Sequence, residues 1–221
     1  MTKKSFNLRN VVAIAICLAG TVMFSGCGKD DTEPKDPPKN PLTYDEGVVI
    51  NGVKWATRNV DEVGTFTLTP ESAGKFYQWN RKKAWNTTDS IVSGWDSTVP
   101  EGTEWEKTND PSPAGWRVPA FEDFEKLLDS NKVTCEWITN PTNGMQFTDI
   151  VSGNSIFLPA AKYRHCDNGV LENSTVGSYW GSTTTTNGTT TPHYLFFSNG
   201  GANIYSGSVG AYGTPLRCVA K

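Results

Sequence analysis

Trp85, Trp95 and Trp105 recur at intervals of ten residues in a Thr- and Gly-rich stretch without helical or strand periodicity. Indole rings left on a loop surface can stack on the apolar faces of sugars, while nearby amides and carboxylates take the hydroxyls. These three are the candidate ligand-binding residues. Glu101, Glu104 and Glu106 share the stretch. Paired carboxylates hydrolyse glycosides, but the sequence fixes no separation between them, and solvated loop acids are the first reading. His165 stands beside Cys166, and His193 is far along the chain. A zinc site needs about four converging ligands; two distant histidines and oxidisable cysteines do not supply them, so no metal site is expected. Asp110 before Pro111, and Asp167 in Asp167-Asn168-Gly169, read as turn formers first and cation ligands second. The chain has no G-x-S-x-G elbow, P-loop, G-x-G-x-x-G or H-E-x-x-H. Binding without catalysis is the expectation.

The elements that must position these residues come from a chain of 221 residues with 20 basic and 23 acidic side chains, net −3. That balance gives no case for nucleic acid. With 37% hydrophobic residues, 21 Gly and 8 Trp, the chain fits neither a helix bundle nor a wholly disordered segment. Its length suits one domain and a tail.

The tail is legible. Lys3, Lys4 and Arg9 precede an apolar run, Val11 to Phe24, and then Ser25-Gly26-Cys27. Basic, apolar and small residues in that order make a secretory signal over 1–26, too short to favour a membrane span. Ser-Gly-Cys resembles the bacterial lipobox, in which the cysteine is acylated, so Cys27 is the expected lipidation site; Phe24 departs from the usual Leu. Removing 1–26 leaves 17 basic residues against 23 acidic. Lys29-Asp30-Asp31 resembles the export tag of Bacteroidetes-type lipoproteins, which implies a lipid-anchored protein at the surface of the outer membrane. Pro34, Pro37, Pro38 and Pro41 among charges make 27–45 an extended tether. The folded domain is expected over 46–221.

Within it, Val48-Val49-Ile50 and Val53-Lys54-Trp55 flank Asn51-Gly52, a hairpin signal. Phe76 to Trp79 reads as a strand and 81–110 as a long irregular loop. Phe121, Phe124, Leu127 and Leu128 lie at helical spacing behind Pro119, which predicts a helix over about 119–129. Short β-rich runs follow: Val133–Ile138, Ser155–Leu158, His193–Phe197, Ala202–Tyr205 and Leu216–Val219. Thr183 to Thr191 is a low-complexity tract that reads as exposed loop. The class is α+β, β-dominated, with one or two helices and long irregular loops.

Several phrases stand together: Ile50-Asn51-Gly52-Val53-Lys54-Trp55-Ala56-Thr57-Arg58-Asn59-Val60, Gly74-Lys75-Phe76-Tyr77-Gln78-Trp79-Asn80-Arg81-Lys82, Ser112-Pro113-Ala114-Gly115-Trp116-Arg117-Val118-Pro119, Phe157-Leu158-Pro159-Ala160-Ala161-Lys162-Tyr163-Arg164, Gly177-Ser178-Tyr179-Trp180 and Leu216-Arg217-Cys218-Val219. Over about 46–221 the chain resembles the Fibrobacter succinogenes major paralogous domain family of exported and lipid-anchored proteins. The resemblance implies a fold like that of C-type lectins and the formylglycine-generating enzyme. That enzyme works through a cysteine pair near its C-terminus, where this chain has only Cys218, so the fold is carried over and the activity is not. Four residues depart from the pattern. Ala120 replaces the usual Thr cap, at a cost of about 1 kcal/mol. Lys162 and Gly181 replace Gly and Ser, and Ser112 stands where some members carry a Cys. C-type lectins bind calcium through Asn-Asp pairs, which makes Asp110 of Asn109-Asp110 a weak calcium candidate, with Asp167 another; the flanking lectin motifs are absent. No other cofactor is expected. The motif residues Trp55, Trp79, Trp116 and Trp180 are expected in the core, and Arg58, Arg117, Arg164 and Arg217 in buried ion pairs that hold loops.

With Cys27 acylated, the mature chain keeps Cys135, Cys166 and Cys218. Cys135 and Cys166 are expected to form a disulfide, worth roughly 3–4 kcal/mol for the loop it closes, with Cys218 a small buried hydrophobe. Asp89-Ser90-Ile91 and Asp96-Ser97-Thr98 match the O-glycosylation pattern of Bacteroidetes-like bacteria, which makes Ser90 and Ser97 candidate sites. The expected function is adhesion, the recognition of a glycan or a surface protein. A structural subunit of a surface assembly is the alternative, and a polysaccharide hydrolase is more remote.

Overall fold

The computed structural model describes residues 40–185, 191–207 and 210–221. The expected signal segment 1–26, the expected lipidation site Cys27, the expected tether as far as residue 39 and part of the Thr tract lie outside the described residues. In chain order the elements are β1 (Val48–Ile50), β2 (Val53–Asn59), β3 (Trp116–Arg117), α1 (Phe121–Leu127), β4 (Val133–Ile138), β5 (Gly144–Asp149) and β6 (Ser155–Pro159). Then come β7 (Tyr163–Arg164), β8 (Leu171–Glu172), β9 (Gly177–Thr185), β10 (Thr191–Ser198), β11 (Gly201–Ser206) and β12 (Arg217–Ala220). The fold is β-dominated, with one helix and several small sheets. Among the described residues no helix is long and apolar enough to cross a membrane.

The Asn51-Gly52 hairpin forms as read. Both residues take positive φ, 44° and 79°, and Ile50 pairs with Val53 across the turn. β2 then pairs with β12, and β12 with β3, giving the order β1-β2-β12-β3. β4, β5 and β6 form an antiparallel meander, and β9, β10 and β11 another with β10 at its centre. The helix is shorter than expected. Ala120 caps nothing with its side chain; instead the Asp123 carboxylate accepts the Ala120 N–H at 2.7 Å and pairs with Arg117 at 2.7 Å. Phe76–Trp79 makes single bridges, Phe76 to Trp85 and Tyr77 to Thr214, where a strand was expected.

Alternation along β10 decides which face is core. Leu195 and Phe197 point inward with Tyr179 of β9 and join Phe124, Leu127, Phe147, Leu158 and Trp55 in one apolar cluster. Tyr194 and Phe196 point the other way. A second cluster holds Trp79, Trp105, Trp116, Trp180, Phe66 and Cys218. The four motif tryptophans are buried, as expected.

Three expectations are corrected here. Residues 40–45 are part of the fold, not of the tether: Asp45 is 5% exposed and accepts hydrogen bonds from the Gly47 and Thr57 amides, Thr57 Oγ1 and Arg58. Arg58 also donates to the Pro41 carbonyl at 2.7 Å. Of the four motif arginines, only Arg58 and Arg117 form ion pairs, with Asp45 and Asp123. Arg164 and Arg217, both buried, spend their guanidinium donors on carbonyl and amide oxygens instead. The Cys135–Cys166 disulfide is not formed. Cys135 is exposed on β4 and Cys166 is buried beyond β7, both as free thiols, because the two elements belong to different sheets. Cys218 is also free and buried, with its sulfur 3.1 Å from the Ser112 hydroxyl.

Candidate functional site

The outward face of the β9–β10 pair sets Ser178 opposite Phe196 and Trp180 opposite Tyr194. Toward Trp180 this face is covered by the second apolar cluster. Toward Ser178 it opens into a cleft of about 480 Å³, completed by Tyr163 from β7, by Ser206, and by Tyr212 and Thr214 from the segment ahead of β12. The aromatic rings brace one another. Tyr163 meets Tyr212 edge-on at 5.8 Å, and Tyr205 stacks on Tyr194 at 6.1 Å and meets Phe196 edge-on at 5.6 Å. The Tyr212 phenol is pushed up to about 12 by its hydrogen bond with the Cys166 thiol and by burial, so it stays neutral. Burial likewise raises the Tyr194 phenol.

Thr214 forms part of the cleft wall. It is 3% exposed, and its hydroxyl has no hydrogen-bond partner in the protein. Its backbone is held against Tyr77 by a pair of bonds at 2.8 and 3.1 Å, so the position is fixed. A buried hydroxyl left unpaired costs about 1–3 kcal/mol.

The loop tryptophans are not the display surface that the sequence suggested. Trp85 and Trp105 are buried, at 4% and 8% exposure, and Trp95 is half-buried under the β7–β8 turn, where it donates to the Cys166 carbonyl at 2.8 Å. The reason is hydrogen bonding. Trp105 Nε1 donates to Asn109 O at 2.9 Å and Trp85 Nε1 to Gln78 Oε1 at 3.3 Å, so each indole satisfies its polar edge within the loop while burying its ring. Ser90 and Ser97, by contrast, are exposed.

The acids Glu101, Glu104 and Glu106 are exposed. Glu104 lines a smaller cleft with Glu122 and His193. Burial lowers the His193 imidazole from its ordinary value, which keeps it neutral at pH 7. Asp110 makes the expected Asx turn, accepting the Ser112 N–H at 2.8 Å. Among the described residues Asp110 joins no group of His, Cys, Asp and Glu donors, and Asp167 has a histidine and a cysteine beside it.

The cleft residues Tyr163, Ser178, Tyr194, Tyr212 and Thr214 went unselected in the sequence. The signal that was present is the alternation in His193–Phe197, which sends Tyr194 and Phe196 to the face opposite Leu195. Comparison of the chain with protein-family models, with curated proteins and with solved structures finds no match.

Proposed function

We propose that this chain is a non-catalytic binding protein, lipid-anchored through Cys27 at the bacterial outer membrane. Its folded part belongs to the major paralogous family that it resembles, with a C-type-lectin-like fold. Its ligand is a glycan taken into the tyrosine cleft. The observation that carries this reading is the cleft walled by Tyr163, Tyr194, Phe196 and Tyr212. Rings offer stacking to the apolar face of a sugar, and the Ser178 and Ser206 hydroxyls beside them offer hydrogen bonds to its edge.

The test is binding of the full chain, in detergent, to a broad panel of neutral glycans, followed by intrinsic fluorescence. A saturable hit is expected, weakened at least tenfold in Tyr212→Ala. Thr214→Val removes a buried, unsatisfied hydroxyl at constant shape, so it should raise stability by about 1 kcal/mol in urea unfolding. A panel without hits, or a hit indifferent to Tyr212→Ala, would overturn the glycan reading.

A second reading, a structural subunit of a surface assembly, has its own observation. The turn between β5 and β6 exposes Ile150 at 52% and Val151 at 85%, and the Asn154 side chain ties it to Val49, itself 47% exposed. Oligomers in sedimentation at low concentration that dissociate in Val151→Asp would favour it.

A further inference from the structure

The turn joining β7 to β8 brings three different donor atoms together. The Cys166 sulfur lies 4.0 Å from His165 Nδ1 and 3.5 Å from Asp167 Oδ1, while His165 Nδ1 lies 3.7 Å from Asp167 Oδ2. One donor atom from each residue lies within 4.8 Å of the other two. With zinc bonds of about 2.3 Å to sulfur and 2.0–2.1 Å to nitrogen or oxygen, donors on a tetrahedral face are roughly 3.4–3.6 Å apart. The nearest-atom separations are within a few tenths of an ångström of those values, the sulfur meeting Oδ1 of Asp167 and the imidazole Oδ2. Asp167, with its side chain 81% exposed, is free to turn one oxygen toward both partners.

A thiol nucleophile activated by histidine would need a different arrangement. There the sulfur and the carboxylate engage opposite ring nitrogens, so that the acid orients the base. Here both lie on the Nδ1 side, where the Asp167 N–H also approaches at 3.4 Å. The turn is also held in place from beneath. Arg164 donates to the Gly169 carbonyl at 2.6 Å, Trp95 donates to the Cys166 carbonyl at 2.8 Å, and His165 and Gly169 close the turn with backbone bonds at 2.9 Å.

We propose that His165, Cys166 and Asp167 form a binding site for one zinc ion, with a fourth position open to solvent. The mixed sulfur, nitrogen and oxygen set suits a borderline ion of this kind and not calcium. Binding replaces the thiol proton with the metal: the S–H bond breaks, a zinc–sulfur bond forms and the proton leaves to water. The free thiol is essential, and the absence of a disulfide to Cys135 is what makes it available. The site does not depend on the glycan reading of the neighbouring cleft.

Cobalt(II) is the probe, added to the reduced full chain. One equivalent should bring up a thiolate-to-cobalt charge-transfer band together with intense tetrahedral d–d bands, and zinc should bleach both. Cys166→Ser should abolish the signal and Cys135→Ser should leave it unchanged. If Cys166→Ser does not fold, His165→Gln and Asp167→Asn decide, since their side chains lie on the open side; each should weaken cobalt binding at least tenfold. No charge-transfer band, a band that follows Cys135, or unchanged affinity in both of the latter variants would overturn the proposal.

Discussion

Two halves of this molecule are held together by different means. The half built from β4–β6 and the inner face of β9–β11 relies on strand ladders over an apolar cluster of Phe124, Phe147, Leu158 and Phe197. The half that contains residues 76–110 has no strand of its own. There, buried polar side chains take the place of the ladder. Gln78 donates to the carbonyls of Asp96 and Ala211. Asn80 accepts the Glu106 N–H at 2.8 Å and donates to Glu101 O at 3.1 Å. Arg164 ties Asn86, Asp89 and Gly169 through five bonds. Backbone groups of a buried irregular loop need partners as much as those of a strand. The comparison teaches that one side chain can serve where a sheet would spend a whole neighbouring strand, at the risk of concentrating the dependence in one residue.

That contrast can be broken by substitution. Arg164→Met should cost about 4 kcal/mol in urea unfolding, because it leaves several buried carbonyls without donors. Leu158→Ala in the ladder half should cost about 3 kcal/mol for its lost burial and cavity. If Arg164→Met proves cheaper than Leu158→Ala, the polar staples do not bear the loop. Asn80 sharpens the point, since it has both its hydrogen bonds and a φ of 52°. Asn80→Ala should cost about 2 kcal/mol, and Asn80→Gly less, because glycine keeps the left-handed conformation without strain.

The smallest effect is expected at the edge between the regular sheet and residues 40–45. Burial pushes the Asp45 carboxyl up, but hydrogen bonds from Thr57, Gly47 and Arg58 outweigh it and hold the group below its ordinary value. A depressed carboxylate stabilises the fold above about pH 4 and loses that contribution as pH falls through its folded pKa. Asp45→Asn should therefore cost about 1.5 kcal/mol at pH 7, a difference that narrows below pH 4. A constant difference down to pH 2 would mean that packing, not charge, holds this segment.

Local signals were the legible ones. Asn51-Gly52 carries its turn in two residues, and β4, β6, β10, β11 and β12 were visible as short β-rich runs close to their observed bounds. β5 was hidden because Gly144-Met145-Gln146-Phe147-Thr148-Asp149 mixes glycine and polar residues between its two neighbours. The cleft was hidden for a different reason. Its tyrosines come from positions 163, 194 and 212, far apart in the chain, and a fold that bridges Arg164 of β7 to Gly213 and pairs β10 with β9 makes them neighbours. The loop tryptophans misled because a sequence shows that an indole is present, not that a carbonyl is waiting for its N–H. Cys166 was assigned to a disulfide although His165 and Asp167 flank it, because adjacency in sequence does not show that three side chains turn toward one another.

The position of β12 has a consequence for the order of events in folding. β2 and β3 are not bonded to each other; each is bonded to β12, and Arg217 reaches Asn59 across 158 positions of sequence. The first sheet cannot close until that late strand arrives, and such distant pairings make folding slow. A chain emerging residue by residue therefore leaves β2 and β3 without their shared partner until nearly all of it has been made, while the local meanders β4–β6 and β9–β11 need no such wait.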